Sequence, residues 1–470
     1  MNKFLLIIVC WFFIDASHAQ NISEKLQKAY QQFESDSQLK HAISSLYVIN
    51  AKTGKVVFDK NSQIGLVPAS TQKIITATTA FELLGKDYRY KTEIGYDGQI
   101  KDSVLEGNFY IVGSGDPTFG SWRYIHTKRD TILKYLSSIL KNAGVRKISK
   151  DLILDDSKFS FQPIPGGWIW DDIGNYYGAG TWGINWNENQ YNLLLKPGNK
   201  EGDIVEIKGT EPQLDISALT NLLISGNPGS GDNGYIYLPP YSIFGFVTGT
   251  VPAGEQGFQI SGSTPFPTNQ LSGNIENLFS ANNFQLKGSC RPSEYYLNNK
   301  LSLPAYKKVL EKIYSPTLDS IVYWFLQKSI NLYGEALLKT FAYEKKGFGA
   351  TDSGVVIVKD FWKQKGLDPE ELNIKDGSGL SPQNRVTTHA QVEILNYAKQ
   401  QSWFSYFFNA LPEYNNMKMK SGSISDVKGF CGYQTSGDGT QYIFSFLVNN
   451  YSGSSSAVVN KMYKVLDVLK

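Results

Sequence analysis

Histidine and cysteine are scarce in this chain, and their scarcity narrows the available chemistry. Four histidines and three cysteines stand among 470 residues. No group of His, Cys, Asp and Glu shows metal-ligand spacing, so no metal site is expected. The G-x-S-x-G turn that exposes a nucleophile in α/β-hydrolases is missing too. Charge of one sign is lacking: 46 Lys and Arg stand against 43 Asp and Glu, a net +3. The positive residues are spread out and form no basic block, so the chain carries no nucleic-acid signature. Beyond Phe4 to Phe13 there is no long apolar run, and that run is too short to span a membrane.

What is present begins with a leader. Residues 1–19, MNKFLLIIVCWFFIDASHA, read as a secretory signal peptide. Lys3 gives the positive start, Phe4 to Phe13 the apolar core, and Ser17-His18-Ala19 the small-x-small cleavage site. Bulky Val9 before Cys10 argues against lipoprotein processing. The mature protein is therefore expected to be exported, without a transmembrane segment, from about Gln20. Its net charge stays at +3, because the leader removes one Lys and one Asp. The remaining chain has room for about three domains. Cys290 and Cys431 are its only cysteines. They could pair in an oxidising compartment, but a chain this long needs no disulfide to fold. Aromatics reach 13%, which suits a folded core with some carbohydrate- or peptide-facing surface.

Along the chain, a polar amphipathic helix is expected at about 22–36, then a hairpin turning at Lys52-Thr53-Gly54. A buried helix follows Ser70 and ends near Gly85. Residues 94–290 are rich in Gly, Pro, Asn and short β-like runs, with few helical periods apart from about 131–143, and the inserted region is taken as 94–301. This stretch reads as a mostly β insertion, one domain nested in another. Helical patterning resumes in SPTLDSIVYWFLQKSINLYGEALLKTFAYE, and three strands and an amphipathic helix close the chain. That terminal helix is expected to pack on the sheet rather than on a membrane. Strands at both ends with helices between predict an α+β domain, an antiparallel sheet packed by helices, built from 20–93 and 302–470.

Three short motifs carry the chemistry. In VPASTQKIITATTA, Ser70 and Lys73 are three residues apart at the opening of an apolar helix, so they share a face. The bland alternative is that Ser70 caps the helix while Lys73 snorkels to solvent. A serine nucleophile needs a base, and histidine is in short supply. A lysine serves when desolvation or a neighbouring cation disfavours its ammonium. Ser329-Ile330-Asn331 supplies an S-x-N at a helical boundary, and Lys420-Ser421-Gly422 a K-[ST]-G on a predicted strand. The order S-x-x-K, S-x-N, K-[ST]-G is that of penicillin-binding proteins and serine β-lactamases.

On these motifs the chain resembles the exported D-alanyl-D-alanine carboxypeptidases/endopeptidases, the class C low-molecular-mass penicillin-binding proteins. The stretches VPASTQK, NFYIVGSGDPTF, PGGWIWDDIGNYYGA and KDGSGLSPQNRVT are similar to that family over nearly the whole mature chain. The 256-residue interval from Lys73 to Ser329 matches the two domains that the family inserts there. In a class A β-lactamase the interval is far shorter. The resemblance implies a penicillin-binding-protein/serine β-lactamase-like transpeptidase domain interrupted by that insertion.

It also implies roles. Ser70 is the nucleophile and Lys73 its base; Ser329 shuttles the proton to the leaving amine under the positive field of Lys420. Asn331 holds the substrate amide, Lys420 and Ser421 bind the terminal carboxylate, and backbone N–H groups of Ser70 and Ser423, just after Gly422, form the oxyanion hole. Asp172 and Tyr177 align with a pocket for the free end of a diaminopimelate side chain; the alternative is that Asp172 caps a turn and Tyr177 is core. Relatives commonly carry arginine where this chain has Pro382. The loop Asp376 to Ser381 is expected at the rim of the site. No metal or organic cofactor is implied. Expected partners are peptidoglycan stem peptides ending in D-Ala-D-Ala or DD-cross-linked, with β-lactams as inhibitors, in the periplasm, free or peripherally associated with membrane or wall. The competing functions are a β-lactamase, or a cell-wall or β-lactam-binding protein that acylates without turnover.

Overall fold

The hairpin at the start of the chain follows from its sequence: β-rich ISSLYVIN and VVFDK flank a turn in which Asn50 Oδ1 accepts the N–H groups of Lys52 and Thr53. A computed structural model describes residues 22–470; the leader expected at 1–19 lies outside the described residues. The hairpin strands, Ile43–Asn50 and Val56–Lys60, form one edge of a six-stranded sheet. Next to Ile43–Asn50 come Gln441–Asn449, Val427–Thr435, Met417–Ile424 and the short Glu413–Tyr414. Every neighbouring pair is antiparallel, so the two ends of the chain build one sheet.

Both faces of that sheet are covered. On one, Leu46, Val48, Met419, Phe430, Phe446 and Val448 pack with Leu26, Tyr30 and Phe33 of the first helix and with Val458, Met462 and Val465 of the terminal helix Ser455–Leu466. The terminal helix thus spends its apolar stripe on the sheet. On the other face lies the helix Thr388–Lys399, held by hydrogen bonds from Ser45 to Thr388 and from Ser445 to Gln391, each 2.6 Å. Among the described residues, no helix is long and apolar enough to cross a membrane. Cys290 and Cys431 are both free thiols.

The chain divides into two compact units. The first comprises the residues up to Glu82, Val322–Ser329 and Val358–Lys470; the second comprises Leu83–Ile321 and Ile330–Ile357. The second unit holds two large cores and a smaller cluster of Tyr110, Val112, Ile153 and Tyr296 among the described residues. One lies between the helices Arg129–Asn142 and Pro267–Ala281 and a five-stranded mixed sheet, with Ile94, Phe109, Leu136, Leu140, Leu271 and Ile275 in it. The other, built from two three-stranded sheets, gathers Tyr191, Leu193, Leu223, Ile236, Val247 and Ile260 from the sequence between the first core's two halves.

The sequence boundaries at 93/94 and 301/302 differ from these divisions. Lys91–Tyr96 pairs antiparallel with Lys308–Tyr314, which carries the sheet beyond both expected ends. The helix Pro267–Ala281 is also absent from the sequence reading. Its Asn, Ser and Gly residues are weak helix formers, while Leu271, Ile275 and Phe279, spaced by four, supply the packing that stabilises it.

Candidate active site

Ser70 does not cap a helix. Pro68 enters in the αR region, Ala69 takes a left-handed φ of 46°, and Ala69–Gln72 forms one turn of 3-10 helix before the α-helix Lys73–Leu84 begins. A 3-10 turn has three residues per turn, so positions 70 and 73 eclipse. Lys73 Nζ donates to Ser70 Oγ at 2.9 Å and to the carbonyl of Ser378 at 2.7 Å, and it lies 5.9 Å from the centre of the Phe325 ring. Lys73 is fully buried and does not snorkel, whereas Ser70 keeps partial exposure.

Two sets of contacts hold this turn. The first comes from the loop Asp376–Ser381. The Asp376 carboxylate accepts from the N–H groups of Gly379 and Ser381, from Asn384 Nδ2 and from Gln72 Nε2, and Thr76 donates to the carbonyl of Gly377 at 2.7 Å. Gly379 has φ +84°, and a Cβ there would stand 1.9 Å from the Ala69 carbonyl oxygen, so this close approach requires glycine. Asp376, Ser378 and Ser381 are fully buried. The loop braces the nucleophile turn from within; the expected rim position is corrected by that burial. The second set runs from the sheet: Ser445 bonds to Gln391, Gln391 Nε2 donates to Thr71 Oγ1 at 2.8 Å, and Thr71 Oγ1 donates to the Pro68 carbonyl.

The K-S-G strand lies directly against the turn. Lys420 and Gly422 share one face of Met417–Ile424, because strand side chains alternate, and Met419 takes the opposite face into the core. A side chain at Gly422 would place its first carbon 2.9 Å from the Ser70 backbone nitrogen and 2.6 Å from the Pro68 carbonyl oxygen. Only glycine lets the strand come so near. Lys420 is almost wholly buried; its Nζ donates to the Ser421 carbonyl at 2.9 Å, and Cys431 faces it across the ladder. Burial lowers its pKa to about 8. Ser421 is half-buried and Ser423 exposed.

Ser329 follows the helix Leu318–Gln327, the element that brings Phe325 to Lys73. It is partly exposed with a left-handed φ of 56°, a conformation uncommon for non-glycine residues.

Asn331, Asp172 and Tyr177 belong to the second unit. Asn331 opens the helix Asn331–Lys346 and donates from Nδ2 to the Tyr177 carbonyl at 2.8 Å. Two turns on, the buried Lys339 donates to the carbonyls of Gln162 and Thr181, so one helix grips the segment around Asp172 at both ends. Burial lowers the Lys339 pKa to about 7. Asp172 sits in the short helix Trp170–Ile173, and its carboxylate accepts no hydrogen bond from the turn, so it is not a cap. Burial, with the charge of Asp171 second, raises its pKa to about 6. Tyr177 is half-buried rather than core, and burial followed by the Asp172 charge raises its phenol.

Sequence reasoning missed the Asp376 brace and the Gln391–Thr71 relay. A signal was present: Gln72 and Thr76, four apart in a stretch expected to be buried, need polar partners inside the fold.

Comparison with known proteins places this geometry among relatives. The sequence model of the D-Ala-D-Ala carboxypeptidase 3 (S13) family matches residues 24–469. A D-alanyl-D-alanine carboxypeptidase of Actinomadura sp. (strain R39) is 26% identical over 462 residues, covering 90% of this chain and 81% of that one. The D-alanyl-D-alanine carboxypeptidase DacB of Haemophilus influenzae is 23% identical over 427 residues, covering 86% and 84%. The crystal structure of penicillin binding protein 4 from H. influenzae shares the fold, with a TM-score of 0.78 at 20% identity over 96% of this chain and 98% of that one. The same protein has also been solved in complex with a β-lactam.

Proposed function

Because the chain belongs to the D-Ala-D-Ala carboxypeptidase 3 (S13) family, we propose that it is an exported serine peptidase that cleaves the D-Ala-D-Ala bond of peptidoglycan stem peptides, or the equivalent DD cross-link, through an acyl-enzyme on Ser70. The observation that carries the mechanism is the 2.9 Å contact between Lys73 Nζ and Ser70 Oγ on a braced, buried turn.

Ser70 Oγ attacks the carbonyl carbon of the penultimate D-Ala while its proton passes to Lys73 Nζ, which is within transfer range. The backbone N–H groups of Ser70 and Ser423 hold the oxyanion. Ser329 delivers the proton to the departing D-Ala nitrogen, and the C–N bond breaks. Lys420 in its ammonium form and the Ser421 hydroxyl bind the terminal carboxylate. Asn331, two residues after Ser329, accepts the substrate's amide N–H at Oδ1. Water then attacks the ester and releases the shortened peptide and free Ser70.

β-Lactams enter the same pathway and remain as esters, because the leaving nitrogen stays tethered to the acyl group. Asp172, whose carboxylate accepts no hydrogen bond among the described residues, pairs with the ammonium at the free end of a diaminopimelate side chain, alongside Tyr177. The periplasm is where such substrates are found.

The test is release of D-Ala from an acyl peptide ending in D-Ala-D-Ala, by wild type and by Ser70→Ala. Turnover by wild type alone is expected. Penicillin labelling without peptide turnover would make the protein a non-turning-over binder, and rapid penicillin hydrolysis would make it a β-lactamase.

A further inference from the structure

The second unit carries a long polar groove whose lining includes none of the residues assigned above. Two adjoining cavities, of about 450 and 470 Å³, share Arg129, Glu211 and Pro212 in their walls. Their lining is dominated by carboxamides. Gln190 and Asn192 stand two apart on the outward face of the strand Gln190–Lys196, where Asn192 accepts from Ser261 at 2.7 Å. Gln270, Asn274 and Asn277 recur at i, i+4 and i+7 along one face of the helix Pro267–Ala281, a run of about 10 Å.

Asparagine competes with the helical backbone for hydrogen bonds and weakens a helix. A stripe of carboxamides facing a cavity therefore has a cost, offset in part where Asn274 Oδ1 accepts from Trp186 Nε1 at 3.1 Å. One of them is orphaned. Gln270 is 6% exposed, and neither its carboxamide oxygen nor its nitrogen has a hydrogen-bond partner among the described residues. A buried amide left unpaired is destabilising, and Gln270 is one of six described residues with such atoms, Tyr191 in the wall of the same groove being another.

The charge pattern selects the kind of partner. Lys128 and Arg129 are matched by Asp130 and Glu211, and Arg129 lies 3.6 Å from Glu211, so the groove has no net sign for an anion or a cation. At one end stands Trp122, 45% exposed, with the Arg123 guanidinium over its ring at 5.2 Å. Carboxamides both donate and accept, which suits hydroxyl and acetamido groups. An exposed indole offers a flat apolar plate for the face of a pyranose ring. Stem peptides, with charged ends and side chains, would call for charged residues left over for pairing.

We propose that this groove binds a neutral amino-sugar chain, the glycan strand of peptidoglycan. The proposal deepens the peptidase reading and rests on it for the choice of glycan, but binding is read without turnover, so either can fail alone.

The test is titration calorimetry of the mature protein with the N-acetylglucosamine tetramer, for wild type, Trp122→Ala and Gln270→Leu. Wild type should bind, and each variant should bind at least about tenfold more weakly, a loss of about 1.4 kcal/mol. Thermal unfolding controls for the fold. Trp122→Ala should melt as wild type does, and Gln270→Leu, which removes an unpaired buried amide, should melt no lower. Absence of binding by wild type at millimolar tetramer would overturn the proposal. So would full affinity in both variants, or Trp122-dependent binding of a free stem pentapeptide but not of the sugar.

Discussion

The turn that carries Ser70 and the segment that carries Asp172 and Tyr177 are built on opposite terms. From Thr71 to Phe81 every residue is buried, and Gln72, Lys73 and Thr76 find polar partners in the loop Asp376–Ser381. Around Asp172 the side chains are only partly covered: Trp170 is 48% exposed and Tyr176 51%, while Trp168 and Asn175 are buried. That segment is held through its backbone, by Asn331 on the Tyr177 carbonyl and by Lys339 on the carbonyls of Gln162 and Thr181. The groups proposed to make and break bonds are fixed by their side chains, while those proposed for recognition are fixed by the chain beneath them. Substitutions in the recognition segment can thus change selectivity and leave the reaction centre intact.

This contrast can be broken or sharpened by mutation. Lys73→Met should give the largest effect, slowing penicillin acylation by about 10³-fold or more, because the proton acceptor is lost; stopped-flow acylation rates check it. Asp376→Ala comes next. It removes the acceptor of four buried donors, the Gly379 and Ser381 N–H groups among them, so denaturant unfolding should show a loss of about 3 kcal/mol or more, with slower acylation. Slower acylation at unchanged stability would break the view of the loop as a brace.

The third effect is a pH dependence in the catalytic unit. The Lys420 ammonium is present below its pKa of about 8 and lost above it, so kcat/KM for the peptide should fall about tenfold per unit at higher pH. Lys420→Arg keeps its charge and should remove that alkaline limb.

The smallest effect belongs to the recognition segment. Asp172 is ionised above its raised pKa of about 6, so preference for an amine-bearing side chain over its acetylated form should grow as pH rises through 6. Asp172→Asn should abolish that preference and raise KM severalfold, leaving penicillin acylation untouched. A change in acylation would show that the two regions are not separable.

Much of this molecule was legible from its residues, and the failures share a cause. The three motifs, the terminal hairpin and the one-sheet closure of both chain ends are local or periodic signals. The Asp376 brace is neither: Gln72 and Asp376 are 304 positions apart, and nothing in the loop's composition says whether it lies inside or at the rim. The helix Pro267–Ala281 was hidden for the reverse reason, since its local propensity argues for a loop and only packing of Leu271, Ile275 and Phe279 overrides it. The residues that hide it are the same carboxamides that line the groove. The close approach of Gly422 to Ser70 is spelled in K-S-G, but its physical reason appears only when the strand meets the turn.

The most direct measurement is intact-mass and peptide-mapping analysis after incubation of the mature protein with a fluorescent penicillin. The account predicts one adduct per chain, on the peptide containing Ser70, and none on Ser70→Ala. No adduct on the folded wild type, or an adduct on another serine such as Ser329, would contradict it.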